Sequence, residues 1–380
     1  MALGGTVGAT VLTLALATGT LCLTSGCSSV GYLAQSASGH LQLMSAAKPV
    51  EDWLADPATG AALKERLALT QRLRDFAVAE LKLPDNSSYR RYAALDRPAA
   101  VWNVVAAPEL SLKLQTWCFP VVGCVGYRGY YTLAAAQAEG DVLRAQGLEV
   151  SVYPVPAYST LGMSNWLGGD PLLSSFIQWP EGELARLIFH ELTHQVVYVA
   201  GDTPFNESFA TAVEHLGVER WLQAHASTAA RAEYAALDQR RADVRALLGC
   251  YRDTLAALYQ SPLADDAKRE RKAELLAALQ TDYTALKTQR WQGFAGYDGY
   301  FRQVNNAALG VQAAYHVWVP AFEALFAQQG GDFSRFYAAV REMAQWPAPQ
   351  REARLKALMA PRQPAEQPLE PLPASPRAGG

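Results

Sequence analysis

A chain of 380 residues, 50 % of them hydrophobic and 18 % charged, can bury a sizeable core and fill one large domain or two ordinary ones. A formal net charge of −3, with no basic stripe carrying interleaved aromatics, excludes a nucleic-acid surface. Beyond the first 27 residues no stretch approaches the roughly 20 apolar residues that a membrane span needs.

Residues 1–27 read as an export signal. Val7 to Leu23 is an apolar, small-residue run without charge, followed by LTSGCSS. This end resembles a bacterial lipoprotein signal, which implies cleavage before Cys27, lipid on that thiol and a periplasm-facing protein anchored to the membrane of the cell envelope. It departs from that pattern in Thr24 and in a leading segment without Lys or Arg. Of the five cysteines, Cys22 lies inside the signal, and Cys118 and Cys124 flank a five-residue loop in WCFPVVGC. In an oxidising periplasm those two are expected to form a disulfide. Cys250 stands alone in a helical pattern and is expected to be a small buried hydrophobe.

From Ser28 to Leu83 apolar residues recur at helical spacing, and Pro84-Asp85-Asn86-Ser87 closes the run as a turn. The period then changes. Ala99 to Ala106, Leu112 to Trp117 and Leu148 to Val155 read as strands, with a helix over Tyr130 to Gln146 that Gly147 ends. Tyr158 to Asp170 has no period, holds three glycines and precedes the next helix directly, as a cleft-lining segment or an ordinary loop does.

That next helix carries the chemistry. Within LARLIFHELTHQVVYV, His190 and His194 are one turn apart on the same face, so both imidazoles can reach one Zn²⁺, and Glu191 beside them can act as general base. The helix is expected from Pro180 to about Ala200-Gly201. A second helix starts at Asp202 or Thr203 with Pro204 in its first turn, which makes a hairpin with a very short connection. Two carboxylates on it are candidates for a third ligand. Twelve residues separate Glu207 from His194 and 19 separate Glu214, and helical rise alone does not choose between them.

A resemblance bears on that choice. NESFATAVEHLG at 206–217 resembles the second helix of the aminopeptidase N-type gluzincins, where the Glu after the Asn ligates zinc and a Glu seven residues on supports the site. The resemblance therefore implies Glu207 as third ligand and Glu214 as the partner that orients a histidine. The 12-residue spacer is shorter than that family's, and thermolysin, whose metal helix also begins HELTH, takes its third ligand where Glu214 stands. Over most of the chain, to about residue 345, the signal, WCFP…GC, YRGYY, AYSTLG, HELTHQ and NESFATAVE in this order resemble the bacterial family of predicted zinc aminopeptidases. In the N-type enzymes a G-x-M-E-N segment supplies the Glu that holds the substrate's α-amine. Here Gly162-Met163-Ser164-Asn165 has no Glu, which leaves Asp170 as a stand-in.

A His₂Glu set with one open position is a catalytic zinc arrangement. It implies hydrolysis of a peptide substrate by a zinc-activated water, with Glu191 taking the proton and passing it to the leaving amine. The oxyanion needs a further donor, for which Tyr297, Tyr300 and Tyr315 are candidates and Tyr300 the choice. His215 is expected to be a surface or packed histidine. Beyond Trp221 the pattern is helical: Ala229 to Leu258 and Asp265 to Leu286 form a long hairpin, Trp291 to Tyr300 returns the chain to the cleft, and helices broken at Pro320 lead to a last one at Phe333 to Ala344.

The expected fold is α+β and mostly α-helical, a gluzincin-like zinc peptidase with a small β-sheet subdomain and a long helical hairpin. It comprises a signal over 1–27, one peptidase domain over 28–359 and a disordered proline-rich tail over 360–380. Within the domain, residues 98–180 hold the strands, 180–225 the zinc helix pair, 229–287 the hairpin and 291–359 the C-terminal helices. The expected activity is that of an aminopeptidase. The alternatives are a zinc endopeptidase acting on envelope proteins and an inactive envelope scaffold, which would have no use for Glu191.

Overall fold

The computed structural model describes residues 31–119, 123–157, 160, 162, 168–314 and 316–359. The proposed signal with Cys27, the tail from residue 360, most of the segment over 158–167 and Tyr315 lie outside the described residues. The fold is mostly helical with small sheets, an α+β arrangement. No helix among the described residues is long and apolar enough to cross a membrane.

Three helices come first: α1 over residues 31–46, α2 at Val50–Ala55 and α3 at Ala61–Ala79. Two short strands, β1 (Lys48–Pro49) and β2 (Arg91–Ala93), pair antiparallel. The central sheet is built on β3 (Val101–Pro108), whose successive residues are nearly all buried. A hairpin of β4 (Trp117–Phe119) and β5 (Gly123–Val125) follows, closed by the Cys118–Cys124 disulfide. Next come β6 (Arg128–Tyr130), α4 (Leu133–Ala145) and β7 (Leu148–Val155). The sheet order is β6-β3-β7, antiparallel throughout, with β3 and β7 paired over their full length.

The burial of β3 has a simple cause: both faces are covered. Its even residues Trp102, Val104 and Ala106 pack with Ala136 and Leu143 of α4. Its odd residues face the other way, Val105 and Ala107 onto Ala307, and Val101 and Asn103 into a cavity. A strand buried on both faces reads as a continuous apolar run. The expected strand over Leu112–Trp117 does not form. Residues 111–116 are irregular, with Gln115 N–H donating to Ala106 C=O at 2.8 Å, because Leu112 packs onto the cluster of Leu279 and Leu309 and Leu114 onto that of Val105 and Ala307. The helix expected from Tyr130 starts at Leu133, since Arg128–Tyr130 pair with β3 and Thr132 caps the helix by accepting from Ala135 N–H.

After β8 (Leu172–Leu173), parallel to β2, come α5 (Glu181–Thr193) and α6 (Thr203–His225). These two cross closely at Gly217, where a Cβ would stand 2.6 Å from a Leu81 methyl and 2.9 Å from the Phe189 ring. The long hairpin is α7 (Thr228–Gln260) and α8 (Asp265–Ala285). A π turn at Leu286–Arg290 and α9 (Asp298–Arg302) follow it. The segment Trp291–Tyr300 folds onto the hairpin rather than returning to the cleft: Trp291 Nε1–H donates to Asp243 at 2.9 Å, and Trp291 and Phe301 are buried among hairpin residues. The chain ends in α10 (Asn306–Ala314), α11 (Val319–Gln328, with Pro320 in its first turn), α12 (Phe333–Ala344) and α13 (Ala348–Met359). The main core gathers α3, α5, α6, α11 and α12, with Phe209 of α6 against Phe322, Phe336 and Tyr337. Cys250 is exposed on α7, not buried, because the apolar stripe of α7 runs through Val244, Leu248, Leu255 and Leu258 instead.

Candidate active site

Helix α5 buries Leu184, Ala185, Ile188, Phe189 and Leu192 at three- and four-residue spacing. That fixes its rotation, and His190, Glu191 and His194 face a cavity of about 370 Å³ between α5, α6 and the sheet. The helix ends at Thr193, earlier than the Ala200-Gly201 expected from sequence. Its last turn tightens, with Gln195 and Val196 N–H groups donating three residues back, and a nine-residue connection over 194–202 replaces the expected short one. Two clamps hold this connection. The Gln195 side chain accepts from Asn86 at 2.7 Å and donates to Ser88 at 3.1 Å. Asn206 accepts from Val199 N–H and donates to Val199 C=O, both at 2.8 Å. Asp202 caps α6 by accepting from Phe205 N–H and also accepts from Arg351 at 2.7 Å.

Asn206 is 1 % exposed, and its amide closes a ring with Val199, whose C=O also accepts from Asp202 N–H at 3.1 Å. Asn206→Ala is expected to lower stability by about 1–3 kcal/mol, the cost of stranding the Val199 N–H while its C=O keeps only the Asp202 N–H, read as a shift in the denaturant midpoint.

The clamp sets Glu207, the next residue, against the two histidines. Glu207 Oε2 lies 3.2 Å from His190 Nε2 and 3.8 Å from His194 Nε2. One ligand atom each from His190, His194 and Glu207 all fall within 4.8 Å of one another. Glu214 stands behind this group: its Oε2 accepts from His190 Nδ1 at 2.7 Å and its Oε1 accepts from Arg186 Nε at 2.6 Å. His190 Nδ1 is thereby engaged and its Nε2 turned toward Glu207. His194 Nδ1 is buried without a hydrogen-bond partner.

The charges follow from this packing. Burial alone pulls His190 down, but the hydrogen bonds and charges of Glu207 and Glu214 outweigh it and raise the ring to about 10. Burial dominates at His194 and lowers it to about 4. Burial opposes ionisation of Glu214, yet Arg186 and then His190 hold it down to about 2, and Glu207 is lowered by the same histidines against its burial. Glu191 goes the other way: burial, only partly offset by His190, raises it to about 7. Two carboxylates are thus held ionised beside a third poised near neutrality.

Other expected residues fall elsewhere. Tyr300 donates to Ala308 C=O at 3.2 Å within the hairpin cluster, as Tyr297 packs there, and neither lines the cavity, so the choice of Tyr300 as oxyanion donor is corrected. Among the described residues the cavity is instead lined by Tyr32, Tyr127, Tyr131 and Tyr198, of which Tyr127 and Tyr198 feel the charge of Glu207. Tyr127 is 37 % exposed as a residue, while its phenol is raised by desolvation first and then by Glu207, with Glu191 among the further causes, which puts it in their field. It lies in YRGYY just after the disulfide hairpin, and only that adjacency in sequence points to it. Asp170, expected as a stand-in for the amine anchor, is not among the described residues that line the cavity. It is 2 % exposed and its carboxylate accepts from both the N–H and the hydroxyl of Thr160, at 3.0 and 2.7 Å. His215 is 30 % exposed and paired with Glu323 at 3.2 Å.

A family model described as "Putative aminopeptidase" matches residues 31–355. The chain belongs to that family. Its description supports a peptidase at a coarse level, and the matched span takes in every element from α1 to α12 that surrounds the cavity. No curated protein and no solved structure matches the chain.

Proposed function

We propose that the protein is a zinc-dependent metallopeptidase of gluzincin type, with His190, His194 and Glu207 as ligands and Glu191 as general base. The convergence of those three side chains beside a buried, cavity-facing Glu191 carries the reading. The donor set fits the ion. A tetrahedral Zn²⁺ with bonds of about 2.0–2.1 Å holds its ligand atoms roughly 3.3 Å apart, and the observed 3.2 and 3.8 Å bracket that spacing. Two imidazoles and one carboxylate are a set that leaves a position open, as catalytic rather than structural sites do.

When bound, the ion polarises the scissile carbonyl and acidifies the attacking water. The chain's own residues do the rest. Glu191, ionised, takes the proton from the water and returns it to the nitrogen of the leaving amine. Glu214, by accepting from His190 Nδ1, fixes the proton there and aims Nε2 at the site, where an ion would take the place of the Nε2 proton. Tyr127 donates its hydroxyl to the developing oxyanion, so Tyr127→Phe is expected to cut kcat by about 10²–10³-fold with KM little changed.

The walls restrict the substrate. Among the described residues, the acidic and basic side chains lining the cavity are His190, Glu191, His194 and Glu207 alone, with aromatic rings and small apolar groups around them. An uncharged, apolar side chain fits this lining. The family description favours an aminopeptidase. A second reading, an endopeptidase, is favoured by the engagement of Asp170 with Thr160, since among the described residues no lining carboxylate other than Glu191 and Glu207 is there to pair with a free α-amine. Fluorogenic peptides with free and with acetylated N-termini separate the two: cleavage of free termini alone supports the aminopeptidase, equal cleavage of both supports the endopeptidase, and cleavage of neither sinks the peptidase. The signal-like residues 1–27 support a location in the bacterial envelope with lipid on Cys27, which loss of membrane association in Cys27→Ala would establish.

A further inference from the structure

Arg186 stands one turn before His190 on the same face of α5. Its Nε donates to Glu214 Oε1 at 2.6 Å, and the other oxygen of Glu214 accepts from His190 Nδ1 at 2.7 Å. Behind it, Arg186 Nη1 is 3.9 Å from Glu183 Oε2, and Glu183 Oε1 accepts from Arg241 Nη1 of α7 at 2.7 Å. Arg241 is held in turn by Asp238 at 3.3 Å and lies over the Tyr234 ring. Charges alternate in sign along one row, Arg241–Glu183–Arg186–Glu214–His190, from the long hairpin to a ring of the metal-ligand set. Glu214 is 1 % exposed, and a carboxylate so deep stays ionised only beside a fixed cation. Arg186 is that cation. This row connects the hairpin to the side chains behind His190.

We propose that Arg186 is a positioning residue for the metal centre, and that the hairpin braces that centre through Arg241 and Glu183. The inference rests on the metallopeptidase reading above. Arg186 touches neither metal nor substrate. It fixes Glu214, which fixes the ring plane and tautomer of His190, so its loss reaches the metal only through Glu214.

The test is zinc affinity of the full chain, measured by competition with a chromophoric chelator, in wild type, Arg186→Gln, Arg186→Lys, Glu214→Gln and the Arg186→Gln/Glu214→Gln double variant. Arg186→Gln is expected to weaken zinc by about 10–100-fold, the range for lost outer partners of metal ligands, with partial recovery in Arg186→Lys. In the Glu214→Gln background the same change is expected to cost less than about twofold, because its route is already cut. Equal losses in both backgrounds, or a lowered Tm with unchanged zinc affinity, would show Arg186 to be a helix tie only and overturn the proposal. Should Arg186→Gln fail to fold, Arg241→Gln loosens the same row from the hairpin end. It is expected to weaken zinc by at least about threefold, again only when Glu214 is intact, and unchanged affinity there overturns the proposal. Wild-type chain that takes up no zinc sinks the metal reading itself, whereas zinc in wild type with unaltered affinity in the variants sinks this inference alone.

Discussion

Glu191→Gln is expected to lower kcat/KM for peptide hydrolysis by about 10²–10⁴-fold, the usual share of a positioned general base, while zinc content stays at the wild-type level. The substitution keeps shape and removes only the ability to accept a proton. Glu191 lines the cavity beside His190 and His194 but is outside the group of His190, His194 and Glu207 proposed to hold the ion. Its environment raises the carboxyl to about 7, burial being the largest cause. The catalytic form is the ionised one, so wild-type activity is lost as pH falls through the Glu191 pKa, which a bound divalent cation shifts below 7 by favouring the anion. The residual rate of Glu191→Gln is expected to lack that acidic limb. A variant that keeps both the rate and the limb would show that another group takes the proton.

Glu207→Ala is expected to strip the protein of zinc under conditions where wild type holds one ion. Its carboxylate is the group within reach of both Nε2 atoms, at 3.2 and 3.8 Å, and two histidines alone leave too few donors for a tetrahedral site. Glu214→Gln is expected to behave differently, keeping zinc but about 10–100-fold more weakly, since it acts on the orientation of His190. Elemental analysis of the two variants after equal dialysis distinguishes them. Zinc retained in Glu207→Ala and lost in Glu214→Gln would exchange the two assignments.

What the sequence made legible was local. The starts of α5 and α6 follow from Pro180 and from Asp202 with Pro204, the limits of β7 and α12 from their own periods, and the hairpin from two long helical patterns around Ser261-Pro262. HELTH and Asn206-Glu207 could be read as a site because the spacing within each helix is fixed by helical geometry alone. The misses are tertiary. Where α5 stops depends on Gln195 meeting Asn86 and Ser88 more than 100 residues away, and on Asn206 reaching back to Val199. Which of 17 tyrosines faces the ligands depends on how the β4–β5 hairpin and β6 lie beside α5, which no window of sequence contains. Leu112 to Trp117 has a strand's alternation but spends it on two different clusters, and β1, β2 and β8 are too short to show a period. Arg186 sits in plain view one turn before His190, yet its meaning needs Glu214 beside it in space.

On the proposed reading, one ion held by His190, His194 and Glu207 is required for peptide hydrolysis. The most direct test is to strip the purified chain with a chelator and follow the rate of peptide cleavage as zinc is added back. The rate is expected to be negligible at the start and to rise linearly to a break at one equivalent of zinc per chain. A rate that is full in the stripped protein, or that stays flat through the titration, would contradict it.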